Sequence, residues 1–460
     1  MRGFLASSIG VTCAAALALP LTLPSSGARA ATPAPQSPAG PLAVSVPGST
    51  QSLPLTPLGS DRSPGGEAAE QGLLQREVRP FSLVGVIWDD PDDELNGSVQ
   101  VRTRASGTSN WSGWQPVETH NHEHAADPDD PERATGRVRG STAPLWVGDS
   151  DGVEIRVRGE AAQARGEHRG ATESPVERAL PEGLRLELVD PGAEPPPQGS
   201  APEGPRSPAL TAEAAASSAV NADLAPLGAS VIPALSKEET ESDLVEARGG
   251  PEDAGKVKPH IGPRPRIITR KGWGADEKIR EKNFGYTKTV KAAFVHHSAS
   301  GNNYRCSQAP SLLRSIYRFH VKSSGWRDIG YNFAVDKCGN IYEGRAGGVA
   351  KPVLGAHTLG FNSNTTGVAV LGSFGSTNPP SAAVSAIARL TAWKLGLHGA
   401  NPSGKTYLRS GGGNKYKKGS NVRLNVISGH RDGFATECPG LRLYKKLGKA
   451  RSDSARHQGR

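Results

Sequence analysis

Apolar patterning in this chain falls into two separate blocks, which argues against one core spanning all 460 residues. From about Glu77 to Pro191 short runs alternate apolar and polar residues: Val99, Val101 and Thr103, then Val153, Ile155 and Val157, then Leu184, Leu186 and Leu188. A period of two broken by Gly, Asp and Pro clusters predicts antiparallel strands, and so a small all-β, sandwich-like domain over 77–191. From Pro263 onward the texture changes. Ala292–His297 and Gly367–Leu371 are apolar strands, and Tyr331–Val335 and Ile341–Glu343 flank a hairpin-like turn. Leu312–Lys322 and Ser381–Leu397 have helical spacing. That order predicts an α/β domain over 263–448, a mixed β-sheet flanked by helices. The stretches 31–76 and 192–262 are low in aromatics and rich in Pro, Gly and Ala, and read as disordered linkers. Within the second, Ser236–Arg248 could form a short helix, and 449–460 reads as a frayed basic tail. Gly and Pro together make up 20% of the chain, above the average of about 12%.

Charge divides the chain as sharply as pattern does. Residues 263–460 hold 33 Lys and Arg against 9 Asp and Glu, a net +24, while the first 262 residues carry a net −15. A basic domain attracts nucleic acid, anionic lipid or acidic wall polymers, and charge alone does not choose among them. The N-terminus does. Arg2, the apolar stretch Phe4–Leu23 and Ala28-Arg29-Ala30 are the three parts of a secretory signal, with 1–30 removed on export. A membrane anchor is the alternative, but Pro20 and Pro24 interrupt the stretch, and no other segment approaches the length of a span. Export excludes nucleic acid as the expected partner and leaves an anionic cell envelope, to which salt should weaken attachment. The chain is read as a monomer.

Aromatic and histidine clusters each carry two readings. Trp88, Trp111, Trp114 and Trp146 could stack on sugar rings, but filling a β-domain core is the favoured role. His120, His122 and His124 alternate as strand neighbours do. They lie in a polar stretch beside Asp127, Asp129 and Asp130, and read as a solvated loop rather than a metal site. Nor do His122 and Glu123 open a zincin motif, because Ala126 stands where its second histidine belongs. After loss of Cys13 with the signal, Cys306, Cys338 and Cys438 remain, an odd count for an exported chain. Cys306 and Cys338 bracket one helix and strand and could be bridged, a link worth about 3–4 kcal/mol. Cys438 follows His430 by eight residues. Two imidazoles and a thiolate suit zinc with a fourth position open to water; a free buried thiol is the other reading.

Six ordered blocks then narrow the field: Phe294-Val295-His296-His297-Ser298-Ala299, Gly325–Phe333 (GWRDIGYNF), Tyr342-Glu343-Gly344-Arg345, Gly355-Ala356-His357 with Gly360-Phe361-Asn362, Gly429-His430-Arg431-Asp432, and Thr436-Glu437-Cys438-Pro439-Gly440. Together they resemble the peptidoglycan recognition protein family, the type 2 N-acetylmuramoyl-L-alanine amidases, over about Arg264–Leu447. The resemblance implies a groove floored by a zinc ion and cleavage of the amide between N-acetylmuramic acid and L-alanine in peptidoglycan. By position it implies zinc on His296, His430 and Cys438, with His297 packed beneath. It implies catalytic roles for Tyr331 and Thr436, and a disulfide between Cys306 and Cys338. His357, Asn362, Arg345 and Trp326 fall where substrate contacts are expected. Binding modules of the family keep the groove without the metal cysteine, so Cys438 favours an enzyme over a non-catalytic peptidoglycan-binding protein. A cysteine hydrolase using Cys438 with His430 is a third reading. The Lys-rich stretch Ser403–Ser420 exceeds the family pattern and reads as a solvated flexible loop, the other reading being a role in access to the groove or in contact with acidic wall polymers.

Overall fold

The computed structural model describes residues 47–58, 70–159, 179–193, 210–247 and 260–460. The segment 1–30 read as a secretory signal and most of the 31–76 stretch lie outside the described residues. Elements are numbered in chain order.

The N-terminal domain is all β: β1 (Ser49–Pro54), β2 (Thr56–Pro57), β3 (Glu70–Trp88), β4 (Gly97–Ala105), β5 (Gln115–Val117), β6 (Gly140–Ser141), β7 (Leu145–Gly159) and β8 (Arg185–Asp190). They run β1-β8-β3-β7-β4-β5, with β2 and β6 also paired to β3. The period-two residues face inward, so Val99, Val101, Val153, Ile155, Val157, Leu186 and Leu188 share one buried cluster with Phe81 and Trp88. Register shifts along β3 after Leu73, Glu77 and Phe81 mark irregularities that bend this long strand. Two corrections arise here. The stretch read as a linker to residue 76 supplies β1, which pairs with β8 from Ser49 to Pro54, as well as β2 and the start of β3. Of the four tryptophans, Trp88 and Trp146 are buried. Trp111 and Trp114 are half-buried, and the Arg156 guanidinium lies 4.2 Å from the Trp114 ring.

The 192–262 stretch is likewise more ordered than its composition suggests. It holds α1 (Ala212–Ala219), β9 (Val231–Ile232) and α2 (Lys237–Ala247), the last matching the predicted short helix. The Thr211 hydroxyl accepts from the Ala214 amide and caps α1. β9 pairs with β10 (Ile267–Ile268) and becomes an edge strand of the second domain.

That domain adds α3 (Arg270–Trp273), β11 (Ala292–His297), α4 (Ala309–Arg318) running into a π-turn (Phe319–Ser323), β12 (Phe333–Val335), β13 (Ile341–Glu343), β14 (Thr365–Val370) and α5 (Ser381–Gly396). Then follow β15 (Lys405–Arg409), β16 (Asn421–Asn425), β17 (Ile427–Gly429), α6 (His430–Gly433), α7 (Leu441–Tyr444) and α8 (Leu447–His457). The sheet order is β17-β11-β14-β12-β13-β10-β9. Pairing is parallel through β17, β11, β14 and β12 and antiparallel between β12 and β13, the predicted mixed sheet. β11 and β14 are buried along their whole length, as parallel strands covered on both faces must be, hence their unbroken apolar runs. Cys306 and Cys338 form a disulfide, as the resemblance implied. The basic stretch 403–420 is a correction: β15 and β16 form a hairpin across it. So is the tail, where α8 buries Leu447, Ala450, Ser454 and Ala455, and the Ser454 and Thr391 hydroxyls meet at 3.0 Å. No helix among the described residues is long and apolar enough to cross a membrane.

The two domains share a core. Leu83, Ile87, Trp146 and Val189 of the β domain cluster with Leu312, Ile316 and Phe319 of the second. Contact is close enough to require glycine at position 85, where a Cβ would fall 2.5 Å from the Phe319 ring. Gly85→Ala should therefore destabilise the chain by about 1–3 kcal/mol, read as a lowered melting temperature. An unchanged melting temperature would show that the domains do not need this contact.

Candidate metal centre and groove

Strand pairing brings the predicted ligands together. His296 is the penultimate residue of β11, and parallel β17, paired through Val295 and Gly429, places His430 alongside with its ring 4.5 Å from that of His296. The Arg431 amide donates to the Cys438 carbonyl, closing the loop that returns Cys438 to the same point. Cys438 Sγ stands 3.8 Å from His296 Nδ1, and all three residues are buried. His297, on the opposite face of β11, accepts at Nδ1 from the Phe374 amide and stays out of the cluster.

The corner expected to be open is filled. His124, from the loop between β5 and β6, puts Nε2 at 3.2 Å from His430 Nδ1 and 3.5 Å from Cys438 Sγ. The facing atoms of His124, His296, His430 and Cys438 all lie within 4.8 Å of one another. Zinc–nitrogen bonds of about 2.05 Å and a zinc–sulfur bond of about 2.3 Å give tetrahedral edges of roughly 3.3 Å (N–N) and 3.6 Å (N–S); the three approaches of 3.2, 3.5 and 3.8 Å match these, and no pair exceeds 4.8 Å. Burial, reinforced by the neighbouring imidazoles, holds His296 and His430 neutral, and burial brings His124 down to about 4. Burial also pushes the Cys438 thiol up. Neutral imidazoles and a thiol that ionises only beside a cation make a donor set suited to a metal. On the outer side, His296 Nε2 meets His357 Nδ1 at 3.3 Å and Thr358 Oγ1 at 3.4 Å, which fixes its ring. Zinc fits these residues.

The other predicted residues surround this centre. Tyr331 is buried with its ring 5.5 Å from that of His296, and burial pushes its phenol well up. Trp326 is buried against His320, ring centres 4.4 Å apart. His357 lies fully buried behind His296 rather than on the groove surface, a positioning place and not a contact surface. Thr436 accepts from the Cys438 amide and donates to Glu123 Oε1 at 2.6 Å. Asn362 donates to the Ala125 carbonyl and to Asp127 Oδ1, each at 2.8 Å. Arg345 is gripped by both carboxylate oxygens of Glu132, at 2.8 and 2.9 Å. The residues that sequence reasoning missed are thus Glu123, His124, Asp127 and Glu132. His124 belongs to the stretch that reads as a solvated loop, but it is buried. The signal that could have found it was an acidic, histidine-bearing stretch in a chain whose other domain carries +24.

Residues 286–441 match a family described as N-acetylmuramoyl-L-alanine amidase, and residues 34–179 match one described as Rv3811 N-terminal galactose-binding domain-like. Peptidoglycan-recognition protein SC2 of Drosophila melanogaster is 30% identical over 186 residues, covering 39% of this chain and 84% of that protein. This chain belongs to the peptidoglycan recognition protein family. Peptidoglycan-recognition protein SC1a/b of Drosophila simulans is 31% identical over 181 residues, covering 39% of this chain and 83% of that protein. The solved structure of Drosophila PGRP-LB is 26% identical, covers 40% of this chain and 92% of that one, and has a TM-score of 0.32. For a peptidoglycan recognition domain the function class is binding or amide cleavage of peptidoglycan. His296, His430 and Cys438 fall within the amidase match, whereas His124 falls within the other.

Proposed function

We propose that this chain is a zinc-dependent N-acetylmuramoyl-L-alanine amidase, exported by residues 1–30, that hydrolyses the amide between N-acetylmuramic acid and L-alanine. The observation that carries this reading is the convergence of His296, His430 and Cys438 from separate segments, with ligand atoms all within 4.8 Å of one another. A bound zinc supplies Lewis acidity toward the amide oxygen and brings the pKa of a water toward neutrality. His357 and Thr358 hold the His296 ring in its ligand orientation. Tyr331, beside that ring, is placed to donate to the oxygen that gains charge as the amide is attacked. Thr436, Arg345 and Asn362 carry donors suited to peptide carbonyls and carboxylates, which in this structure are taken up by Glu123, by Glu132, and by Ala125 and Asp127. Cys438 is the ligand that the family's binding modules lack, which favours turnover over binding alone.

The test is release of new L-alanine amino termini from cell walls by the full chain, wild type and His124→Ala, loaded with zinc. Chelation should abolish release and added zinc restore it. Tyr331→Phe should lower kcat by about 10²-fold and leave the zinc content unchanged. No L-alanine termini from either zinc-loaded protein would overturn the enzyme reading.

A further inference from the structure

The loop that carries His124 does more than approach the metal centre. Glu123 takes the Thr436 hydroxyl, and its carbonyl accepts from the Leu359 amide at 2.9 Å. The Ala125 carbonyl takes the Asn362 amide, and Asp127 takes that same side chain and the Gly360 amide. Ala125 packs with Leu359 and Phe434 in a small apolar cluster. Glu132 takes Arg345 and the Arg327 amide. Asp129 pairs with Lys418 of the basic stretch at 2.6 Å. Residues 118–132 hold six acidic side chains and no Lys or Arg, facing the basic domain of the same chain.

Thr436, Asn362 and Arg345 are thus all engaged by the chain's own peptide carbonyls and carboxylates, the acceptor types a peptide substrate presents. We infer that residues 118–132 are an intramolecular plug, with His124 as a fourth metal ligand, which keeps the groove closed until it is displaced. This inference rests on the zinc reading above. A site with four protein ligands is of the closed, structural kind, and a catalytic site keeps a position free. The intact chain is therefore latent, and its β domain acts as an inhibitor of the other.

The experiment uses the full chain, stripped of metal and reloaded with cobalt(II), whose visible absorption reports its ligands. Wild type should show a spectrum that added azide leaves unchanged, because no position is free. His124→Ala should shift that spectrum, make it respond to azide, and cleave cell walls roughly tenfold faster or more, the rise expected when a closing contact of about 1.4 kcal/mol is lost. Identical spectra and azide responses in the two proteins would overturn the inference. So would lost cleavage in a His124→Ala protein that keeps its metal, which would make His124 part of the chemistry. Failure of both proteins to hold cobalt would instead sink the zinc reading, and the plug's metal ligand with it. Should His124→Ala not fold, Glu132→Ala, which keeps His124 but removes an anchor, carries the test. An azide-sensitive fraction supports the plug, and its absence overturns it.

Discussion

Cys438→Ala in the full chain should weaken zinc binding by about 10²–10³-fold without emptying the site, whereas the same change in a His124→Ala chain should empty it and abolish wall cleavage. The reason is the ligand count. Structural zinc sites with four ligands bind with about 10–16 kcal/mol, so one ligand's share is about 3–4 kcal/mol, or two to three decades. Removing Cys438 alone leaves His124, His296 and His430, a three-imidazole set that can still hold zinc. Removing His124 as well leaves two imidazoles. Zinc content after dialysis against graded chelator gives the affinities, and L-alanine release gives the activity. A cysteine nucleophile makes the opposite prediction, with cleavage lost in Cys438→Ala and zinc affinity untouched. Complete loss of metal in the single variant would show that His124 contributes nothing to holding it.

Much of this arrangement is legible in the sequence. β11 could be read because a strand covered on both faces is an unbroken apolar run, and its terminal histidines announce the site. His430 and Cys438 could be placed because their motif blocks occur in family order, so the three-ligand set needed no three-dimensional input. What stayed hidden was hidden for physical reasons. His124 sits in a polar loop with no apolar periodicity, and its burial comes from a surface supplied by another domain more than 170 residues away in sequence. No local pattern encodes that. The short strands β1 and β9 were lost in Pro-, Ala- and Ser-rich surroundings, because their order comes from pairing with β8 and β10. The tail helix was the avoidable miss. Leu447, Ala450, Ser454 and Ala455 recur at helical spacing along one face, a pattern masked by the Lys and Arg among and around them.

Glu132→Ala should loosen the loop of residues 118–139 while leaving the rest of the fold nearly as stable as before. Glu132 and Arg345 are both buried and paired through two hydrogen bonds. Taking one partner from a buried ion pair leaves a charge stranded, at a cost of about 3–5 kcal/mol. In a rigid core that cost would fall on global unfolding. Here a cheaper route exists, because the loop can lift away and let water reach the guanidinium. In the metal-free chain the other anchors include the Asn362 contacts with Ala125 and Asp127, the Asp127–Gly360 and Glu123–Leu359 bonds, the Thr436–Glu123 bond and the Asp129–Lys418 pair. At about 1 kcal/mol each they together only roughly match the cost of a stranded arginine, so lifting the loop competes with global unfolding. Hydrogen exchange followed by mass spectrometry should therefore show faster exchange over residues 119–136, with little change in α5 and β11, and a melting temperature lowered by less than the full cost implies. Glu132→Gln, which keeps two polar atoms facing Arg345 but removes the charge, should fall between wild type and Glu132→Ala. If exchange instead rises throughout both domains and the melting temperature drops by the full amount, loop and groove form one inseparable core. The groove would then open only by unfolding, and a detachable inhibitor would have to be given up.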